Sequence, residues 1–452
     1  MSGTTPVREA TPSGTSGTLS RSIGTAGALA TLVGVSIGSG IFRVPSTVAR
    51  EFPSPTGFML VWVVGGIFTL AGALTFGELA STFPVTGGTY VYLREGVGPL
   101  AAFVCAWTHL LFLRPVALGA VALVFASYVG KLIPAVAAHE PLTASGLLIV
   151  LAAINYRSVR LSTNFMLVTG GAKAVAVVLL AALLLVLVPG APPEAAVPAA
   201  GWTWHGFWLA TTTVMFTFSG WSSTSYIAGE VRKAERAMPL VLASGVGFIV
   251  VLFLVLNLAY TRALPMSAIA ASNAVASDAA VRVFGAVGQR LVVALVVLAT
   301  VGSLNGTMLS SPRQTFAMGI DTPGLARLGA IHRVYQTPYV AIVVTALLGV
   351  VAVWSHTFEQ LASSFVFGSW VFYFLCVIGL FRMRRRRPDL PRPFRVPGYP
   401  VVPALLLVAS VGIFANVTVT QPRDAMIACG LMLVGVATYY LLRRMPRLTT
   451  PG

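Results

Sequence analysis

Residues 33–49 read VGVSIGSGIFRVPSTVA, an apolar run interrupted at its centre by Gly38-Ser39-Gly40. The run extends from 24 to 49, long enough to cross about 30 Å of hydrocarbon as a helix. Two glycines flanking a serine are poor helix formers, so the backbone is expected to unwind at mid-depth. Gly34 and Gly38 also form a GxxxG pair, which alone fits a close helix–helix contact equally well. A second stretch tips the choice. Residues 216–230 read FTFSGWSSTSYIAGE, with Ser219-Gly220 inside another apolar run and Thr217, Ser222, Ser223 and Thr224 close by. The offset from Ser39 to Gly220, applied to Arg114 in the third apolar run, lands on Leu295 in the eighth.

Twelve such runs follow one another, at 24–49, 57–83, 98–131, 142–157, 161–189, 204–231, 237–262, 285–316, 338–355, 358–382, 401–420 and 424–443. With 452 residues, 56% hydrophobic and 10% charged, the chain is no ordinary soluble domain, which carries about 25% charged residues. It is expected to be an all-α integral membrane protein of twelve transmembrane helices. Five runs followed by five, each set opening on an interrupted one, is the pattern of an inverted repeat, because an odd number of crossings makes the second set enter from the opposite side. The expected units are 21–189 for repeat one, 204–382 for repeat two and 398–443 for two further helices. Residues 1–20 and 444–452 read as cytosolic tails, the first disordered and lacking the apolar core of a signal peptide.

The net charge of +17 is distributed as a membrane protein distributes it. With the N-terminus inside, 21 Lys and Arg fall in cytosolic segments and 7 outside, which places both termini in the cytosol of a cell membrane protein. The basic run RMRRRRPDLPRPFR at 382–395 then anchors the topology near anionic lipid, and no nucleic-acid partner is called for. Cys105, Cys376 and Cys429 lie in apolar stretches without metal or redox spacing. Five histidines, scattered over loops and run ends, build no nucleophile–base or metal constellation, so neither an enzyme nor a cofactor is expected.

Unwinding leaves backbone groups that must find partners in hydrocarbon. A half-helix starting near Ile41 points its partially positive N-terminus at the midplane, which suits a carboxylate. A half-helix ending near Phe218 offers free carbonyls, which suit an ammonium. A zwitterion bearing both groups on one carbon fits between them, so the expected ligand is an α-amino acid.

These stretches resemble the amino acid–polyamine–organocation superfamily, and within it the L-type amino acid transporters. GSGIF at 38–42 is similar to the first-helix signature, FGELASTFPVTGGTYVYL at 76–93 to the exit of the second, and LRPVALGAVALVFASYV at 113–129 to an Arg-Pro third helix. INYRSVR at 154–160, GSLNGTMLSSPR at 302–313 and RRPDLPRP at 386–393 follow in order. The resemblance implies a LeuT-like fold and a sodium-independent alternating-access exchanger of neutral L-amino acids. It implies that Gly38, Ser39 and Gly40 hold the substrate carboxylate and that Phe216, Thr217 and Ser219 lie on the stretch whose carbonyls bind the amine, with Ser36, Ile37, Phe218 and Ser223 beside them in the binding region. Phe216 would close over the ligand, and Ser303, Asn305 and Ser369 would face the substrate side chain. Ser36, Ser219 and Ser223 depart from the family pattern, which leaves the preferred side chain open.

Lys173 lies within the fifth run, TGGAKAVAVVLLAAL, and an ammonium at that depth is by default functional. The resemblance implies that it occupies the place of a coupling cation, held by carbonyls near Gly34 and Ile37 and by Ser310 or Ser311. A fixed charge there makes sodium unnecessary. A cycle in which Lys173 gains and loses a proton gives the alternative, a proton-coupled symporter, and a carrier of another amine is the remaining reading. Arg43 and Glu359 are a candidate gate pair, Arg114 is expected to pin broken-helix carbonyls, and Glu78 and Glu230 are expected to pair with arginines on the cytosolic side. Family members that carry a disulfide-linked subunit use a cysteine after the third helix. KLIPAVAAHEPLTAS at 131–145 has none, so no such partner is expected.

Overall fold

The computed structural model describes residues 19–188, 190, 203–355 and 358–444, with side chains left out for 358–367 and 424. The expected tails therefore lie almost wholly outside the described residues. Two short helices, α1 (Thr25–Ser36) and α2 (Gly40–Glu51), open the structure, followed by α3 (Pro55–Thr82), the short α4 (Thr89–Gly96) and α5 (Pro99–Thr108). One π turn, His109–Leu113, joins α5 to α6 (Arg114–Leu132), and the two read as a single rod of 34 residues. Then come α7 (Pro134–Ala137), α8 (Glu140–Arg157) and α9 (Val159–Leu187). Beyond 203 the chain forms α10 (Trp204–Thr217), a 3₁₀ helix over Trp221–Glu230, α11 (Ala234–Ala263), α12 (Met266–Ala271) and α13 (Val275–Phe284). The long α14 (Ala286–Asp321), α15 (Tyr339–Ser355), α16 (Phe358–Arg386), α17 (Val401–Thr420) and α18 (Pro422–Arg444) complete it.

Every one of the twelve predicted apolar runs falls on helix. Among the described residues, seven single helices are long and apolar enough to span a membrane, and α1 with α2 forms an eighth candidate, bent by 44°. Among the described residues there is no sheet, only a parallel bridge between Ile23 and Val231. Small polar residues set helix starts. Ser54 accepts the Gly57 N–H ahead of α3, Ser158 the Leu161 N–H ahead of α9, and Thr203 the Gly206 N–H ahead of α10. Apolar residues also cover the outer faces: Val168 and Val186 of α9 are 71% and 77% exposed, as a lipid-facing helix requires.

The broken helices cross side by side in the middle. α2 packs on α10, α1 packs on the 3₁₀ stretch, and α6, α9 and α14 close around them. Gly220 permits this crossing. Its φ of +103° is left-handed, and an added Cβ would lie 2.7 Å from a Val35 methyl. The expected unwinding of both runs is therefore present, at Ile37–Ser39 and at Phe218–Gly220. The sixth run resumes as a 3₁₀ rather than an α-helix, which its cluster of hydroxyl residues favours, since they bond their own backbone; Ser225, for example, donates to the Ser222 carbonyl.

Candidate functional site

At the first break a buried cation takes up two carbonyls of the unwound segment, and a third from α14. Lys173 Nζ, on α9, donates to the Gly34 carbonyl, to the Ile37 carbonyl at 2.7 Å and to the Ala299 carbonyl of α14 at 3.2 Å. The Ser303 hydroxyl lies 3.3 Å from Nζ and 3.1 Å from each of the Gly34 and Ile37 oxygens. Lys173 is wholly buried. One ammonium thus ties α1, α9 and α14 together, and its full complement of donors is used on neutral acceptors.

This corrects part of the sequence reading. Gly34 and Ile37 are the partners expected, but the hydroxyl is Ser303, two helical turns before Ser310. Ser310 donates to Gly306 on its own helix, and the buried Ser311 hydroxyl bonds nothing among the described residues. Ile37 serves Lys173 and lines neither the chamber between the breaks nor the larger one above it.

Between the breaks lies a cavity of about 80 Å³, lined by Ser36, Gly38, Ser39 and Gly40 of the first break and Phe216, Thr217, Ser219, Gly220 and Ser223 of the second. α6 adds Arg114, Ala117, Ala120 and Val121, and α14 adds Ser303, Leu304 and Thr307. Most expected binding residues therefore share one small chamber. Three do not. Phe218 turns its ring to Trp62 and Phe253, with centroids 5.9 and 5.3 Å away. Asn305 points to the far side of α14, where it accepts from Asn155 at 2.9 Å and donates to Ser162 at 3.1 Å. Ser369 is buried on α16 and lines neither this chamber nor the larger one above it.

That larger chamber, about 760 Å³, shares Ser39, Gly40 and Phe216 with the small one and widens past Arg43, Lys131 and Glu140. Phe216 stands on the boundary between them. Asn416, Thr420 and Gln421, at the end of α17, form part of its wall, a contribution that the low sequence complexity of the eleventh run did not announce. Arg43 faces this chamber, whereas the side chain of Glu359 lies outside the described residues.

The opposite side is closed by layered contacts. Directly beneath the cavity Arg114 Nη2 donates to the Tyr226 hydroxyl at 2.8 Å, and Nη1 reaches Ser223 at 3.5 Å. Phe76, Tyr92, Trp221 and Tyr373 pack edge to face around Phe76, with centroids 5.0–5.6 Å apart. Further down, Glu230 takes two bonds from Arg313, at 2.8 and 3.1 Å, in full burial. Glu78 accepts from Arg384 Nε at 2.9 Å and from the Val396 N–H at 2.7 Å. Asp321 accepts from Arg94 at 2.6 Å and Tyr90 at 2.8 Å. Burial and the neighbouring Asp321 carboxylate raise the Tyr90 phenol above its ordinary range, so it stays protonated and donating. The pairings expected of Glu78 and Glu230 are present, and Tyr90–Asp321–Arg94 is an addition. His109 is buried against Gln314 and Phe372.

Two unwound helices thus flank one small chamber, with the Lys173 ammonium bound into the first break. Residues 23–438 match the amino acid permease family. The chain belongs to that family. The permease is 26% identical to the serine/threonine exchanger SteT of Bacillus subtilis, over 94% of this chain and 98% of that one. It is 26% identical to the human b(0,+)-type amino acid transporter 1 over 94% and 88%, and 29% identical to the mouse large neutral amino acids transporter small subunit 2 over 97% and 84%. The permease is a membrane transport protein of the amino acid–polyamine–organocation superfamily, similar to its L-type branch, and not an enzyme. Its described cysteines form no disulfide: Cys105 and Cys376 are buried and Cys429 is exposed.

Proposed function

We propose that the permease is a sodium-independent, alternating-access exchanger of neutral L-amino acids in the cell membrane, with twelve spans, a five-plus-five inverted repeat and both termini in the cytosol. The amide groups at Gly38–Gly40 receive the substrate carboxylate, and the carbonyls beside Phe216 and Thr217 receive its amine. Lys173 carries the argument. Its ammonium fills the acceptors that a coupling cation would need, so the first break is held together without one. The relative named as an exchanger supports exchange over uniport, and the absence of a cysteine in 131–145 supports a chain that works without a disulfide-linked subunit.

With the basic run 382–395 on the cytosolic side, the large chamber opens outward, and the layers from Arg114 down to Arg94 form the closed inner gate. Transport then requires α1, α10 and their packed partners α3 and α11 to rock against α6, α9 and α14 while the inner ion pairs separate. Proton-coupled symport is the second reading, because Lys173 faces neutral acceptors alone within its shell. Labelled amino acid uptake into proteoliposomes separates the two. Exchange predicts uptake only into vesicles preloaded with amino acid, unchanged when sodium is replaced. Uptake into empty vesicles driven by an inward proton gradient would instead establish symport, and a strict sodium requirement would overturn both.

A further inference from the structure

We propose that the chamber between the breaks selects short, hydroxyl-bearing side chains, serine and threonine among the amino acids, and that Ser36 and Ser223 read the hydroxyl. This rests on the transport reading above and adds the side chain to it. Size is the first argument. A buried water needs roughly 10–15 Å³ of such space, so a chamber of about 80 Å³ takes about five to eight water-sized groups. Serine and threonine fall in that range, whereas an aromatic amino acid exceeds it. Enlarging the chamber would mean displacing Leu304 or Val121, or swinging Phe216 away and losing the separation from the outer chamber.

Polarity is the second argument. Ser36 is 3% exposed, lines the chamber, and its hydroxyl has no hydrogen-bond partner. A buried hydroxyl left unpaired is destabilising, so a ligand that pairs with one gains selectively. Ser223 is 1% exposed and accepts from Arg114 Nη1 at 3.5 Å, which leaves its own proton to give. A ligand hydroxyl, acceptor and donor at once, completes both. A ligand methyl completes neither. Sites built to bond a ligand hydroxyl reject the analogue lacking it far more strongly than an apolar pocket rejects a missing methylene. Arg114 also lines the chamber and makes an acidic side chain the rival occupant. Its contacts to Tyr226, by a 2.8 Å hydrogen bond and by a position 5.2 Å from the ring centroid, commit the guanidinium within the protein and favour the hydroxyl.

Threonine and valine test the point, because they share a shape and differ by the hydroxyl. In proteoliposomes preloaded with serine, uptake of labelled serine and of labelled leucine is measured under competition by threonine, valine, phenylalanine and aspartate. Threonine is expected to compete at least tenfold better than valine, and Ser36→Ala and Ser223→Ala each to shrink that ratio at least threefold. Ligand-induced thermal stabilisation of the purified protein, threonine against valine, gives the same ranking without turnover. Valine or phenylalanine matching threonine would overturn the selector while leaving transport standing, and aspartate outcompeting threonine would transfer the role to Arg114. Neither uptake nor thermal shift with any amino acid would overturn the transport reading and the selector together.

Discussion

The Nζ of Lys173 sits 2.7 Å from the carbonyl oxygen of Ile37, the first residue beyond α1. Each group is costly alone. A carbonyl without a partner and an ammonium without acceptors are both strongly disfavoured away from water. Placed together, they convert two liabilities into one bracket across α1, α9 and α14, and the unwound backbone stays open for a ligand.

Lys173→Ala removes donors from the Gly34, Ile37 and Ala299 carbonyls at once. Hydrogen bonds to charged groups contribute about 1.5–3 kcal/mol each, so exchange in proteoliposomes should fall at least tenfold and the melting temperature in detergent should drop. Wild-type exchange by this variant would remove Lys173 from the mechanism.

Two serines on α14 make a matched pair of variants. Ser303→Ala takes away the hydroxyl shared by Lys173 and the Gly34 and Ile37 carbonyls, and should reduce exchange several-fold. Ser310→Ala loses only a bond within its own helix and should transport like the parent protein. Equal effects of the two would contradict the bracket described above.

Glu230 and Arg313 form a buried ion pair, with both side chains at most 1% exposed. Removing one charge from such a pair typically destabilises by about 3–5 kcal/mol, because the other is left uncompensated. Glu230→Gln should therefore lower detergent stability markedly, and adding Arg313→Met should recover part of it. Melting curves of the two singles and the double variant form the cycle that checks this coupling.

Gly220→Ala meets two obstacles at one position. Its φ of +103° is strained for any side chain, and the new methyl would press within 2.7 Å of Val35. The two breaks should be pushed apart, with exchange reduced at least tenfold while the protein still inserts in the membrane. Transport and membrane abundance, measured together, distinguish this from simple misfolding.

The architecture was legible because its signals are strong ones. Apolar runs of span length, Gly-Ser-Gly inside the first and Ser-Gly inside the sixth, follow from the solvent and from helix propensity, and each appears as a helix or a break where expected. Which side of a helix a residue faces was less legible. Ser303 and Asn305 are two positions apart on α14, so they point in different directions, one to Lys173 and one to Asn155 and Ser162. Ser310 is close to two turns beyond Ser303, far enough along the axis to miss the ammonium. The α17 wall of the outer chamber was hidden for a different reason: Asn416, Thr420 and Gln421 are ordinary polar residues at a helix end, and it is the packing of α17 on α16, α3 and α10 that brings them to the chamber.

Phe216 touches both chambers, and this sets a hierarchy of times. A half-buried ring can change rotamer in nanoseconds, whereas bundles of packed helices rearrange over microseconds to milliseconds. In the proposed mechanism, sealing the ligand from the outer chamber is then a local, rapid event, reversible many times before the helices move. Such a carrier samples and discards occupants at the speed of one side chain and commits only those that stay long enough for the slower step. Discrimination by residence time would then come from the position of a single ring.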